Sequence, residues 1–180
     1  MDMKPLGPIV GARPVDLPYR RGVGVLLVNR QGLIWTGRRL PKWADDKSAY
    51  IWQMPQGGIN TGEDPLDAAY RELEEETGVL SAELIAETPG WLAYDLPEDL
   101  VGIALKGRYR GQVQRWFAMR FLGDDAEIDI GPRNGQKAEF DRWKWRAVDE
   151  LPDLVVSFKR PIYEEVLRTF AGVLGPQRML

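Results

Sequence analysis

Histidine and cysteine are both missing from the 180 residues, and each absence removes whole classes of chemistry. Without cysteine there are no disulfides, no thiolate nucleophile and no Cys-ligated zinc. Without histidine, Ser-His-Asp and Cys-His hydrolases and His-based metallohydrolases are excluded. Proton transfer must then fall to Asp, Glu, Lys or Tyr. Long apolar runs are also lacking. Val23 to Val28, the longest near the start, is far too short to span a bilayer. Residues 1–16 have no apolar signal-peptide centre, so a reducing cytoplasm is the expected compartment. Acidic residues are absent from Val101–Gly123, which carries Lys106, Arg108, Arg110, Arg115 and Arg120.

What is present reads as a folded domain. A hydrophobic content of 44% with 28% charged residues is globular composition, and the length suits a single core. That domain is expected over residues 17–173, after a mobile arm at 1–16 marked by Pro5, Pro8 and Pro14, with a tail at 174–180. A net charge of −3 opposes non-specific binding along a nucleic-acid backbone. It leaves room for recognition of one nucleotide end, because the basic residues are clustered. Strands are expected at Val23–Asn29, Leu33–Arg39, Tyr50–Met54, Ala82–Glu87, Trp91–Tyr94 and Trp143–Trp145, with a polar loop over Leu40–Ser48. Val113–Phe121 is apolar on both faces, as a central strand would be. Arg160–Phe170 has helical spacing. Two helices amid five or more strands indicate an α/β sandwich with a mixed sheet.

The stretch Gly57–Val79 (GGINTGEDPLDAAYRELEEETGV) organises the rest. Asp64 is a good N-cap, Pro65 suits the first helical position, and Gly78 sits where a left-handed residue would end the helix. Leu66, Ala69, Leu73 and Thr77 fall on one buried stripe. Glu72, Glu75 and Glu76 stand at i, i+3 and i+4, where like charges repel. A divalent cation reverses the sign of that cost, and hard carboxylate oxygens suit Mg²⁺. The ordinary meaning of such a run is a solvated acidic face. Taken alone, the run favours that reading.

Gly57, Glu63 and Arg71-Glu72-Leu73-Glu74-Glu75-Glu76-Thr77-Gly78-Val79 have the spacing of the Nudix box, which this stretch resembles without a departure. The resemblance implies the Nudix fold, an α/β/α sandwich with a central mixed sheet. It implies Mg²⁺ or Mn²⁺ held by Glu72, Glu75 and Glu76, with a backbone carbonyl at Gln56 or Gly57. Arg71 then either orients the glutamates or makes an ordinary helix ion pair. Glu63 either orients Arg71 or decorates the first turn.

YRRGVGVLLVNRQG, WQMPQGGINTGED, GQVQRWF, AEFDRWKW and VVSFKRPIY extend the likeness over roughly Pro18–Phe170. They resemble the bacterial RNA pyrophosphohydrolase group, which includes dinucleoside polyphosphate hydrolases. On that match Glu139 is a further carboxylate near the metals. Arg20, Arg39, Tyr94 and Lys159 fall near the phosphates or nucleotide, with a base held between Arg39 and Phe158. Trp52, Trp91, Trp116, Trp143 and Trp145 are expected in core or sheet packing. Leu40–Tyr50 is longer than in the shorter members, which puts the preferred substrate in doubt.

The implied reaction removes pyrophosphate from 5′-triphosphorylated RNA, leaving a 5′-monophosphate. Hydrolysis of dinucleoside polyphosphates such as diadenosine tetraphosphate is the alternative. A non-catalytic nucleotide sensor is a competing class, opposed by the intact box. A structural Ca²⁺ site is another, opposed by the lack of a DxDxDG loop. The expected partner is a nucleotide or an RNA 5′ end, with no membrane and no stable protein partner.

Overall fold

The computed structural model describes residues 17–174, so the expected arm at 1–16 and positions 175–180 lie outside the described residues. Eight strands run in the order β1 (Tyr19–Val28), β2 (Ile34–Arg39), β3 (Trp52–Gln53), β4 (Gln56–Gly58), β5 (Ala82–Glu87), β6 (Leu92–Asp95), β7 (Gly111–Phe121) and β8 (Phe140–Arg146). The helices are α1 (Pro65–Thr77), α2 (Leu151–Leu154) and α3 (Arg160–Phe170). A 3-10 turn at Val148–Glu150 runs straight into α2.

The centre of the sheet is a parallel pair, β1 beside β7, in register from Tyr19↔Gly111 to Val28↔Arg120. The remaining pairings are antiparallel: β2 and β4 on β1, β5 and β6 on β7, β3 and β8 on β2. The sheet is therefore mixed.

Alternating side chains of the two central strands feed two separate cores. Val23, Val25, Leu27, Phe117, Met119 and Phe121 pack with Ala69 and Leu73 of α1. Leu26, Val28, Trp116 and Ala118 pack with Ile162, Tyr163, Val166 and Phe170 of α3. A layer of helix thus covers each face. The double-sided pattern of Val113–Phe121 has this cause. Trp116 is fully buried, whereas Trp52, Trp91, Trp143 and Trp145 are half-buried. Gly24 is required where it stands, because a Cβ there would come within 2.3 Å of the Trp116 indole. Leu174, assigned to the tail, is buried in the α3 core.

Helix α1 begins and ends as its sequence dictates. Asp64 Oδ1 accepts from the Leu66 amide at 2.9 Å, and Gly78, at φ 75°, donates its amide to the Glu74 carbonyl. Its buried side is slightly rotated from the expected stripe: Ala68 joins Ala69, Leu73 and Thr77, while Leu66 is half-buried. Among the described residues no helix is long and apolar enough to cross a membrane.

Candidate active site

The glycines that open the box belong to a strand, Gln56–Gly58. β4 lies antiparallel on β1, pairing Gly22↔Gly58 and Gly24↔Gln56, and this holds the glycines against α1. A Cβ on Gly57 would fall 2.0 Å from the Glu72 carboxyl carbon. Glycine is thus the residue that lets a backbone and a carboxylate meet at that point.

Arg71 fixes the acidic cluster. Its Nε and Nη2 donate to the two oxygens of Glu63, both at 2.8 Å, and Nη2 also reaches the Gly58 carbonyl at 2.8 Å. Nη1 donates to Glu72 at 2.9 Å and to Glu75 at 3.1 Å. Every guanidinium nitrogen is engaged, so the contacts are those of a residue that orients glutamates. The hydrogen bonds from Arg71 hold Glu63 far below the usual carboxylate range, at about 2.

Glu72 and Glu76 move the other way. Burial pushes Glu72 up to about 7, against the lowering effect of Arg71. Glu76 is 8% exposed and accepts from the Gln56 amide at 3.2 Å. Burial first, then the charges of Glu139 and Glu72, push it well above the ordinary range. Glu139 pairs with Lys42 Nζ at 2.8 Å. Burial, with Lys42 and Arg39 nearby, pulls Lys159 down to about 7.

These groups line one cavity of about 450 Å³. Its wall includes Glu72, Glu76 and Glu139 with Gln56 and Gly57, and also Arg20, Arg39, Tyr94, Phe158 and Lys159. Glu75 and Arg71 stand off the wall, with the Glu75 carboxylate resting on Arg71. Arg20 packs across Gly58, where a Cβ would meet its guanidinium at 2.3 Å. Tyr94 and Phe158 rings lie 5.7 Å apart, and Lys159 Nζ is 5.7 Å from the Tyr94 ring.

The donor set fits a hard divalent cation: carboxylate oxygens and a close backbone, with Glu72 and Glu76 pushed up first by burial and then by neighbouring carboxylates. Among the described residues, however, no three acidic groups already converge on a single point. Arg71 and Lys42 hold several of them instead.

The expected clamp of a base between Arg39 and Phe158 meets a structural difference. The Arg39 guanidinium is buried and paired with Asp46 at 2.8 Å. Sequence reasoning named none of Lys42, Trp43, Ser48, Gln53 or Ile103, all on the cavity wall. The length of the loop after Leu40 was the available hint for Lys42, Trp43 and Ser48.

A family model described as the NUDIX domain matches residues 18–166. An RNA pyrophosphohydrolase of Rhizobium meliloti is 57% identical over 162 residues, covering 88% of this chain and 97% of that protein. One from Mesorhizobium japonicum is 56% identical over 158 residues, covering 86% of this chain and 91% of that protein. Among solved structures, the MutT protein of Methanosarcina mazei superposes with a TM-score of 0.61 at 19% identity, covering 86% of this chain and 97% of the other. An Ap4A hydrolase of C. elegans gives 0.58 at 15% identity, covering 85% and 98%. Those two likenesses speak for the fold alone. With the box seated against the glycine strand and the domain model spanning nearly all of the folded residues, the chain belongs to the Nudix family.

Proposed function

We propose that this protein is a cytoplasmic Nudix pyrophosphohydrolase that removes pyrophosphate from the 5′-triphosphate end of RNA. The observation that carries the reading is the match, at over half identity and almost full length, to relatives named RNA pyrophosphohydrolase. The cavity supports it independently, because its lining combines the carboxylates of Glu72, Glu76 and Glu139 with basic and aromatic side chains.

Glu72, Glu76, Glu139 and the Gly57 carbonyl would hold Mg²⁺ or Mn²⁺, with Glu75 joining them on the family pattern. Such an ion, when bound, neutralises phosphate oxygens and acidifies a coordinated water. The chain's own residues do the positioning. Arg71 keeps the Glu72 carboxylate against β4. Arg20 and Lys159 face the phosphates, while Tyr94 and Phe158 line the nucleotide side of the cavity. Water adds to the phosphorus nearest the ribose, the phosphoanhydride bond breaks, and pyrophosphate leaves behind a 5′-monophosphate. No stable protein partner is needed for this chemistry.

The test is hydrolysis of triphosphorylated RNA in Mg²⁺, set beside diadenosine tetraphosphate, with the released products identified. Pyrophosphate and a 5′-monophosphate end are expected, with the RNA turned over faster. Cleavage of diadenosine tetraphosphate alone would overturn the substrate, and failure of Mg²⁺ or Mn²⁺ to support any hydrolysis would overturn the enzyme.

A further inference from the structure

Residues 40–50, between β2 and β3, carry no strand or helix, yet the segment is tied down from within. Asp46 is its hub. That side chain is fully buried, and its Oδ2 accepts from Arg39 Nη2 at 2.8 Å and from the Lys42 amide at 3.0 Å. Its Oδ1 accepts from the Ser48 amide at 3.0 Å. One carboxylate therefore clamps both limbs of the loop to the guanidinium that ends β2. A buried carboxylate is tolerated only while its cation stays in place, so Arg39 is committed to Asp46. Arg39 is itself only 6% exposed.

The residue this arrangement presents is Trp43. Its ring centroid lies 5.8 Å from the Arg39 guanidinium, so one cation backs the indole and secures the carboxylate that shapes the loop. Trp43 is half-buried, lines the cavity together with Phe158, and packs with it against the same core cluster. Tyr94 is nearly buried, lines the same cavity, and its ring lies 5.7 Å from that of Phe158. The large flat surface that the loop adds to the cavity is thus an indole.

We propose that Trp43 is a substrate-binding surface on which the substrate's nucleobase stacks, with Phe158 as the other aromatic wall. Asp46 is the positioning residue that holds Trp43 there through Arg39 and the loop amides. This rests on the reading of the protein as a nucleotide hydrolase. It assigns Arg39 to supporting the loop and gives base contact to Trp43. Base stacking on an aromatic residue tolerates any base, as an enzyme acting on many RNA ends requires.

Steady-state kinetics on triphosphorylated RNA test it. Trp43→Leu should raise KM about tenfold with kcat within about twofold, the size expected for one lost stacking contact. Trp43→Phe should restore most of the affinity. Asp46→Asn should reproduce the KM rise although its side chain lies off the cavity wall. If both Trp43 variants and Asp46→Asn keep the native KM, the proposal is overturned. Equilibrium dialysis of adenosine 5′-monophosphate against the metal-free protein separates this from the choice of substrate. Weaker binding by Trp43→Leu than by Trp43→Phe upholds the stacking role even if RNA proves not to be hydrolysed. Equal binding by the two variants and the native protein sinks it.

Discussion

Glu72 and Glu76 lie one helical turn apart and both reach the cavity, whereas Glu75 lies one turn from Arg71 and is held by it. The three box glutamates therefore do different work before any ion arrives. Glu76, the most buried, has the greatest need of a cation. Glu76→Gln should lower kcat by about 10²–10³-fold, the usual scale for losing a charged group at a reacting centre. The same variant should melt no lower than the native protein in metal-free buffer, because it deletes a crowded buried charge. Lost folding would count against this account. Arg71→Lys keeps the charge and loses the fork that grips Glu63 through two nitrogens. It should cost about 10–100-fold in kcat with little change in KM, as outer contacts to metal ligands commonly do. A native kcat in steady-state assays would show that the fork is not required. That Glu72, Glu75 and Glu76 share one side of α1 was legible from spacing alone. Which glutamate faces the cavity was not, since i+3 and i+4 flank position i on opposite sides of a helical wheel and only the place of β4 tells which side is covered.

The next scale is the junction of β4 with α1. Gly57→Ala would drive a methyl group into Glu72, at 2.0 Å from its carboxyl carbon. Overpacking of this kind costs about 1–3 kcal/mol, and here it also displaces a carboxylate of the site. A fall in melting temperature with a loss of turnover is expected, while an active, native-like Gly57→Ala protein would refute the close approach. Asp64→Ala removes the N-cap bond to Leu66 and should cost about 1 kcal/mol, read by denaturant unfolding. The contrast between these elements explains what a sequence can disclose. α1 announced both ends because its caps are chemical signals local to the chain, and β7 announced its central place because both of its faces are apolar. Gln56–Gly58 has no period to read, and its strand state comes from pairing with β1, far away in sequence. Asp46 was hidden for the same reason. In a polar loop nothing marks one aspartate as buried until Arg39 folds onto it.

Across the whole molecule, the fold gathers charges of both signs in one cavity, and this links stability to pH. Glu72 titrates near 7 in the folded protein, against 4.5 as a free carboxyl. Between those values the native state binds more protons than the unfolded one, so stability falls as pH rises from about 4.5 to about 7. For a mostly buried side chain this amounts to on the order of 2–3 kcal/mol. Glu76 is shifted in the same direction. Lys159 acts above that range. Its folded value is about 7 against 10.5, so the unfolded state binds the extra proton and stability recovers as pH climbs beyond 7. Glu63, held near 2, is ionised in both states over most of this interval and hardly tilts it. A chelated sample should therefore show a melting temperature that falls as pH rises from about 5 to about 7. Added Mg²⁺ should raise that temperature most at and above pH 7, where the carboxylates are ready to receive it and no proton must leave first. Calorimetry at matched ionic strength makes the measurement. A chelated protein whose melting temperature climbs steadily from pH 5 to 7 would mean that the cavity carboxylates are not under the mutual strain that invites a cation.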